Sequence, residues 1–211
     1  MYTDVKSVQI LITLLKKYKI NTIVISPGTR ALPFVHSIEQ DSFFHCYSIT
    51  DERSAGYFAL GLIHETQNPV AVCCTSGTAV VNILPATNEA KYQRLPLLVI
   101  TADRSHNLLD QYQDQMAPTH KLYSSICKKS VILPIIKSEE DEWRCTLTVN
   151  QALSELKHKI HGPVNIIFQI MENEVFSFNT ITLPDKRVIN RVEMKDSDIV
   201  WQEKVKKLSG M

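Results

Sequence analysis

Val70-Ala71-Val72-Cys73-Cys74-Thr75-Ser76-Gly77-Thr78-Ala79 passes from five apolar residues through a Ser-Gly turn into the start of a helix. An unbroken apolar run of this length reads as a strand covered on both faces, as in a parallel sheet between helix layers. The same order recurs on either side. Thr22-Ile23-Val24-Ile25 runs into Ser26-Pro27-Gly28-Thr29-Arg30, Phe43 to Ile49 runs into Thr50-Asp51-Glu52-Arg53, and Leu97 to Thr101 runs into a polar stretch over 102–119. Lys129 to Ile136 and Val164 to Ile170 read as two further strands. Helical spacing marks 5–18, 31–39, 51–65, 77–93 and 141–160. Alternating strands and helices predict an α/β fold, three layers α/β/α with a mainly parallel sheet of about six strands. The 102–119 stretch reads as an irregular loop long enough to serve function.

Composition narrows the class. The 211 residues suffice for one sizeable core, and 23 Lys+Arg against 22 Asp+Glu leave a net charge of +1. No basic excess points to nucleic acid, and the apolar runs are far too short to span a bilayer. Met1-Tyr2-Thr3-Asp4 leads directly into an amphipathic helix rather than a secretory signal, so a cytoplasmic protein is expected. Cys46, Cys73, Cys74, Cys127 and Cys145 lack metal-type spacing and read as reduced, largely buried thiols. The histidines are scattered, and no protein-ligated metal is expected. Trp143 and Trp201 read as packing residues. After Glu172 the pattern decays into coil, with a last amphipathic stretch over 197–208, so 1–172 is expected to be the domain and 173–211 a linker.

Glu52 is the best single candidate for chemistry. Asp51 is suited to cap the helix that follows, which leaves Glu52 at its first position, where an acid can serve the helix dipole alone. Ser54-Ala55-Gly56 and Ala59-Leu60-Gly61 make one side of that helix small enough for close packing. A glutamate against such a wall favours its neutral form and can share a proton with a bound heterocycle. The two Gly-containing turns place hydroxyls and N–H groups at strand ends, though ordinary turn chemistry also uses these residues. Neither is a phosphate loop, since GxGxxG and a Gly-Lys-Ser/Thr ending are both absent. Arg30, Arg53 and Arg104 each lie at or beyond a strand's carboxyl end; converging, they would form a carboxylate receptor, with Gln115 adding a neutral hydrogen bond.

Ile25-Ser26-Pro27-Gly28-Thr29-Arg30, Asp51-Glu52-Arg53-Ser54-Ala55, Phe58-Ala59-Leu60-Gly61, Cys74-Thr75-Ser76-Gly77-Thr78-Ala79 with Asn82 and Pro85, Glu89-Ala90, and Pro96 through Arg104 together resemble thiamine-diphosphate enzymes. The resemblance is to their N-terminal pyrimidine-binding (PYR) domain, and within the family to the SEPHCHC synthases (MenD) of menaquinone biosynthesis. It covers roughly the first 170 residues in order. It implies that Glu52 hydrogen-bonds N1′ of the aminopyrimidine and promotes loss of the C2 proton. It also implies that Pro27, Ser76, Gly77, Thr78 and Asn82 line the pyrimidine pocket, and that Thr29, Arg30, Arg104 and Gln115 face isochorismate. The implied reaction decarboxylates 2-oxoglutarate and adds the four-carbon unit to isochorismate.

Two departures accompany the resemblance. The family's Gly-Ala-Asn-Gln is replaced by Tyr112-Gln113-Asp114-Gln115, and a charge at Asp114 disfavours an anion beside it. The Gly-Asp-Gly…Asn motif that holds the diphosphate and Mg²⁺ in the family's second domain does not occur in these residues. The expected partner is therefore a polypeptide carrying that diphosphate-binding (PP) domain, or the rest of a full-length enzyme. A homodimer or tetramer through PYR–PYR contacts is expected, with neither nucleic acid nor membrane. Two alternatives are another 2-oxo-acid decarboxylase or carboligase, and a stand-alone assembly module without catalysis.

Overall fold

A computed structural model describes residues 1–191; the amphipathic stretch over 197–208 and Trp201 lie outside them. Six strands form one all-parallel sheet: β1 (Thr22–Ile25), β2 (His45–Ser48), β3 (Val70–Cys74), β4 (Leu97–Asp103), β5 (Lys129–Ile132) and β6 (Val164–Gln169), in the order β2-β1-β3-β4-β6-β5. The fold is the α/β/α sandwich that the sequence pattern predicts. Every residue of β3 and β4 is buried, as apolar runs at the sheet centre require.

Successive side chains leave a strand on opposite faces, and the core divides accordingly. Ile23, Ile25, Ala71, Cys73, Leu98, Ile100, Ile166 and Phe168 face α1 (Lys6–Lys17), α2 (Leu32–Glu39) and α6 (Glu139–Glu155). Val24, Val70, Val72, Cys74, Leu97 and Val99 face α3 (Glu52–Thr66), α4 (Thr78–Tyr92) and α5 (Thr119–Ser124).

Local signals fix the helix ends. The Asp51 carboxylate accepts from Ser54 N–H at 2.9 Å to start α3. Ser138 and Asp141 form a capping box at the start of α6, which carries Glu139, Glu140, Asp141 and Glu142 in its first turn, favourable for the helix dipole. Trp143 on the same helix is 65% exposed and packs little, contrary to its expected role.

The polar stretch over 102–119 is more ordered than its sequence suggests. β4 continues through Asp103, a 3₁₀ turn covers His106–Leu108, and α5 follows from Thr119. The cause is tertiary: the buried Asp103 carboxylate accepts from the Thr119 hydroxyl at 2.9 Å, and the Tyr123 hydroxyl donates to the Val80 carbonyl at 2.7 Å. These two bonds tie α5 to β4 and α4.

Beyond β6 the chain turns back along α1. Val175 is buried with the α1 core, and Leu183 and Val188 pack on it. The Asp4 carboxylate gathers this segment, accepting from Ser177 Oγ (2.6 Å), Asn179 Nδ2 (2.7 Å) and Thr180 Oγ1 (2.8 Å). These donors, the Ser177 hydroxyl foremost, hold the Asp4 pKa down at about 2. A depressed carboxylate pKa contributes stability above its unfolded value and loses it as pH falls through the folded one. The stability difference between the parent chain and Asp4→Asn is therefore expected to shrink between roughly pH 4 and pH 2. Urea unfolding at stepped pH measures it, and a difference constant across that window would refute the linkage.

Candidate active site

The strand order places a reversal in the sheet. From β1 the chain crosses through α2 on one face to β2, whereas from β3 it crosses through α4 on the other, so the connections part between β1 and β3. Crevices of this kind, outside the carboxyl ends of parallel strands, are where open α/β sheets bind ligands.

At this reversal the two Gly-containing turns meet. A Cβ on Gly28 would lie 2.4 Å from Cβ of Thr75, so only glycine permits this approach. Gly77 has φ +73° and ψ −133°, and a Cβ there would lie 2.9 Å from Cα and the carbonyl carbon of Gln115. The 104–118 loop thus folds back over the Ser-Gly turn and brings Gln115 to it. Thr75 Oγ1 and Ser76 Oγ are buried there without a hydrogen-bond partner. Buried hydroxyls are normally paired, so these two stand out as polar atoms with unused hydrogen-bonding capacity.

Glu52 opens α3 beside this turn. Its side chain is half-buried, and Oε2 accepts from Asn82 Nδ2 on α4 at 3.3 Å. The small-residue face of α3 packs as its sequence suggests at Ala55, Gly56 and Ala59: a Cβ on Gly56 would lie 2.7 Å from that of Ala86. Gly61 differs, because nothing lies within 4 Å of its Cβ position. Close packing holds the α3 and α4 ends at fixed spacing without enclosing the carboxylate itself.

Further along the same carboxyl edge Arg30 and Arg104 converge, although their strands are not neighbours. Arg30 is 6% exposed, and its Nη2 donates to Glu172 Oε1 at 2.5 Å. Arg104 Nη1 reaches the same oxygen at 3.4 Å, while its Nη2 donates to Asp114 at 2.8 Å. The Nε of each arginine is buried and unpartnered. The guanidinium of Arg30, through its hydrogen bond and charge, holds the Glu172 carboxyl below the usual range. Beneath them, burial pushes the Asp103 carboxyl upward against the hydrogen bonds it accepts from Thr119 and the Arg104 N–H. Gln169 Oε1 accepts from the His106 N–H at 2.9 Å, fixing the loop to β6.

The sequence candidates therefore separate into groups. Glu52 meets Asn82, Gly77 meets Gln115, and Arg30 meets Arg104 on Glu172. Pro27, Thr29 and Thr78 are exposed, and the side chains of Thr29 and Thr78 make no hydrogen bond among the described residues. Arg53 is exposed and forms no ion pair among the described residues, so two arginines converge rather than three. Among the described residues no cluster of His, Cys, Asp or Glu is arranged to hold a metal ion, and no helix is long and apolar enough to cross a membrane. Glu172, Asp103 and Thr119 escaped the sequence reading. Glu172 had a usable signal: it lies just past the carboxyl end of β6, as Arg30 and Arg104 lie past theirs.

The sheet thus carries two Gly-containing turns at the β1/β3 crevice, with the acid Glu52 at the start of α3 beside them. Residues 5–122 match the family described as thiamine pyrophosphate enzyme, N-terminal TPP binding domain, and the chain belongs to that family. Its relatives are more particular. It is 47% identical over 193 residues to the 2-succinyl-5-enolpyruvyl-6-hydroxy-3-cyclohexene-1-carboxylate (SEPHCHC) synthase of Bacteroides thetaiotaomicron, covering 92% of this chain and 35% of that protein. The proteins of the same name from Bacteroides fragilis and Desulfotalea psychrophila are 45% and 38% identical, over 92% and 86% of this chain and 35% and 34% of theirs. The chain thus spans about a third of the length of the curated relatives it matches.

Proposed function

We propose that this chain is the pyrimidine-binding part of a SEPHCHC synthase, acting with a diphosphate-binding domain supplied in the same polypeptide or by a partner. In this reading residues 1–172 form the domain and 173–211 the connection, whose first part, through Val188, lies against the α1 core. The residues present fit the pyrimidine end of thiamine diphosphate. The orphan hydroxyls of Thr75 and Ser76 lie in the turn that would face it, Gly77 admits the close approach of Gln115 to that turn, and Glu52 stands beside them with an oxygen directed by Asn82. Pro27 and Thr78 complete the rim. When bound, the cofactor supplies the electron sink for decarboxylating a 2-oxo acid. Glu52 holds and shares a proton with the ring nitrogen, and Asn82 fixes the carboxylate rotamer.

One observation carries the acceptor: Arg30 and Arg104 meet on a single carboxylate oxygen at the sheet edge. A pair of guanidinium groups so placed suits a carboxylate-bearing acceptor, which in this reading is isochorismate, with Thr29 and Gln115 at its margin. Magnesium and the diphosphate fall to the other domain. Tyr47, Tyr57, Phe58 and Val81, all more than 40% exposed around α3 and α4, support self-association as a homodimer or tetramer through this face. The setting is cytoplasmic.

A second reading, another 2-oxo-acid carboligase, draws on Asp114, whose carboxylate already occupies Arg104. Product analysis with a diphosphate-binding domain supplied separates the two. Isochorismate is expected to be consumed in step with CO₂ released from 2-oxoglutarate. Steady decarboxylation with isochorismate untouched would favour the second reading.

A further inference from the structure

We infer that Glu172 is a built-in competitor for the Arg30–Arg104 receptor: its carboxylate occupies the place of a ligand carboxylate and must leave when an anion binds. The inference rests on the proposed reading of that receptor and adds what regulates its occupancy.

The manner of contact distinguishes a stand-in from a permanent structural partner. Arginine–carboxylate pairs that anchor a fold are commonly two-pronged and buried. Here one oxygen, Oε1, serves both arginines, at 2.5 and 3.4 Å, and the other makes no hydrogen bond among the described residues. The Glu172 side chain is 74% exposed, whereas those of Arg30 and Arg104 are 8% and 14% exposed. The receptor is therefore built and enclosed, while its occupant sits at the mouth.

The receptor is also undersaturated. Both Nε atoms are buried and unpartnered, so each guanidinium keeps a donor that the present arrangement leaves unused. A ligand carboxylate offering both oxygens can take these donors, which Glu172 leaves unsatisfied.

Glu172 also has an easy route out. It belongs to a three-residue 3₁₀ turn, Glu172–Glu174, closed locally by the Glu174 N–H to the Met171 carbonyl and by the Met171 N–H to the Glu174 carboxylate. Those bonds do not involve the Glu172 side chain, so the carboxylate can swing away without unmaking the turn. Asp114 stays on the far side of Arg104 and keeps that side chain oriented.

The test is a titration of the 211-residue chain with isophthalate, a rigid ring dicarboxylate, followed through the Nε–H resonances of Arg30 and Arg104. Glu172→Gln keeps the shape and removes the competing charge, and is expected to tighten binding roughly fivefold, as the loss of one partly solvated ion pair allows. In the parent chain, the carboxyl carbon resonance of Glu172 is expected to move toward that of a free glutamate as the arginine resonances saturate. Equal or weaker binding by Glu172→Gln, with the arginines still responding, would leave the receptor standing and overturn the competition. A Glu172 carboxyl resonance unmoved at saturation would overturn it too. Arginine resonances silent in both proteins would remove the receptor reading and this inference with it. Because the side chain is mostly solvent-exposed, the variant is expected to unfold at the same urea concentration as the parent to within a small shift, which checks that the comparison is between folded proteins.

Discussion

Glu52→Gln is expected to slow C2–H exchange of bound thiamine diphosphate by about two to four orders of magnitude, the range spanned by a positioned general acid–base. The measurement uses the chain together with a diphosphate-binding domain and follows deuterium entering C2 by quenched NMR. Glutamine preserves the length, the helix start and an oxygen for Asn82 Nδ2, now 3.3 Å from Glu52 Oε2. It cannot exchange a proton with a ring nitrogen, so geometry is kept while the proton is lost. Cofactor affinity is expected to fall far less than the exchange rate, because the turn around Ser76 and Gly77 is untouched. Exchange near the parent rate would refute the role of Glu52, whatever the substrate proves to be.

Gly77→Ala is expected to destabilise the chain by about 2–4 kcal/mol, a large share of the ~5–15 kcal/mol that holds a domain together. Two costs add. At φ +73° and ψ −133° an L side chain is strained, and its Cβ would stand 2.9 Å from the Gln115 backbone. Backbone cannot rotate away as a side-chain tip can, so relief requires the 104–118 loop to lift off the turn. The same change should therefore loosen the loop that carries Asp114 and Gln115, seen as faster amide exchange there. Gly61→Ala is the fitting control: nothing lies within 4 Å of its Cβ position, and the position is helical, where alanine is favoured by up to ~1 kcal/mol. Urea unfolding of the two variants beside the parent measures the contrast. An unchanged Gly77→Ala midpoint would mean that the close approach carries no energy.

The secondary structure was largely legible because its signals are local. β-branched and apolar runs such as Thr22–Ile25 and Val70–Cys74 have no stable place except a covered sheet, and the Asp51 cap and the Ser138 capping box act within one turn. Where a signal was tertiary, the sequence misled. The 102–119 stretch looked irregular, yet a bond from Thr119 to the buried Asp103 orders its end. Trp143 looked like packing and lies in solvent.

The site divides the same way. Glu52, the two turns and the arginines could be marked from sequence, because a residue just past a strand stands at the sheet's carboxyl edge wherever that strand is placed. Which of those residues meet could not be marked. Arg30 and Arg104 lie 142 and 68 positions from Glu172, and only the strand order β2-β1-β3-β4-β6-β5 brings the three together. By itself the sequence determined the parallel α/β architecture and the residue types offered at its ligand-binding edge. Tertiary structure decided that Arg53 stands apart, that Gln115 rests on Gly77 and that a glutamate of this chain holds the arginine pair. The physical reason is that backbone preference and hydrophobic period act over a few residues, whereas a binding site is made where distant strand ends converge, and convergence follows from packing the whole sheet.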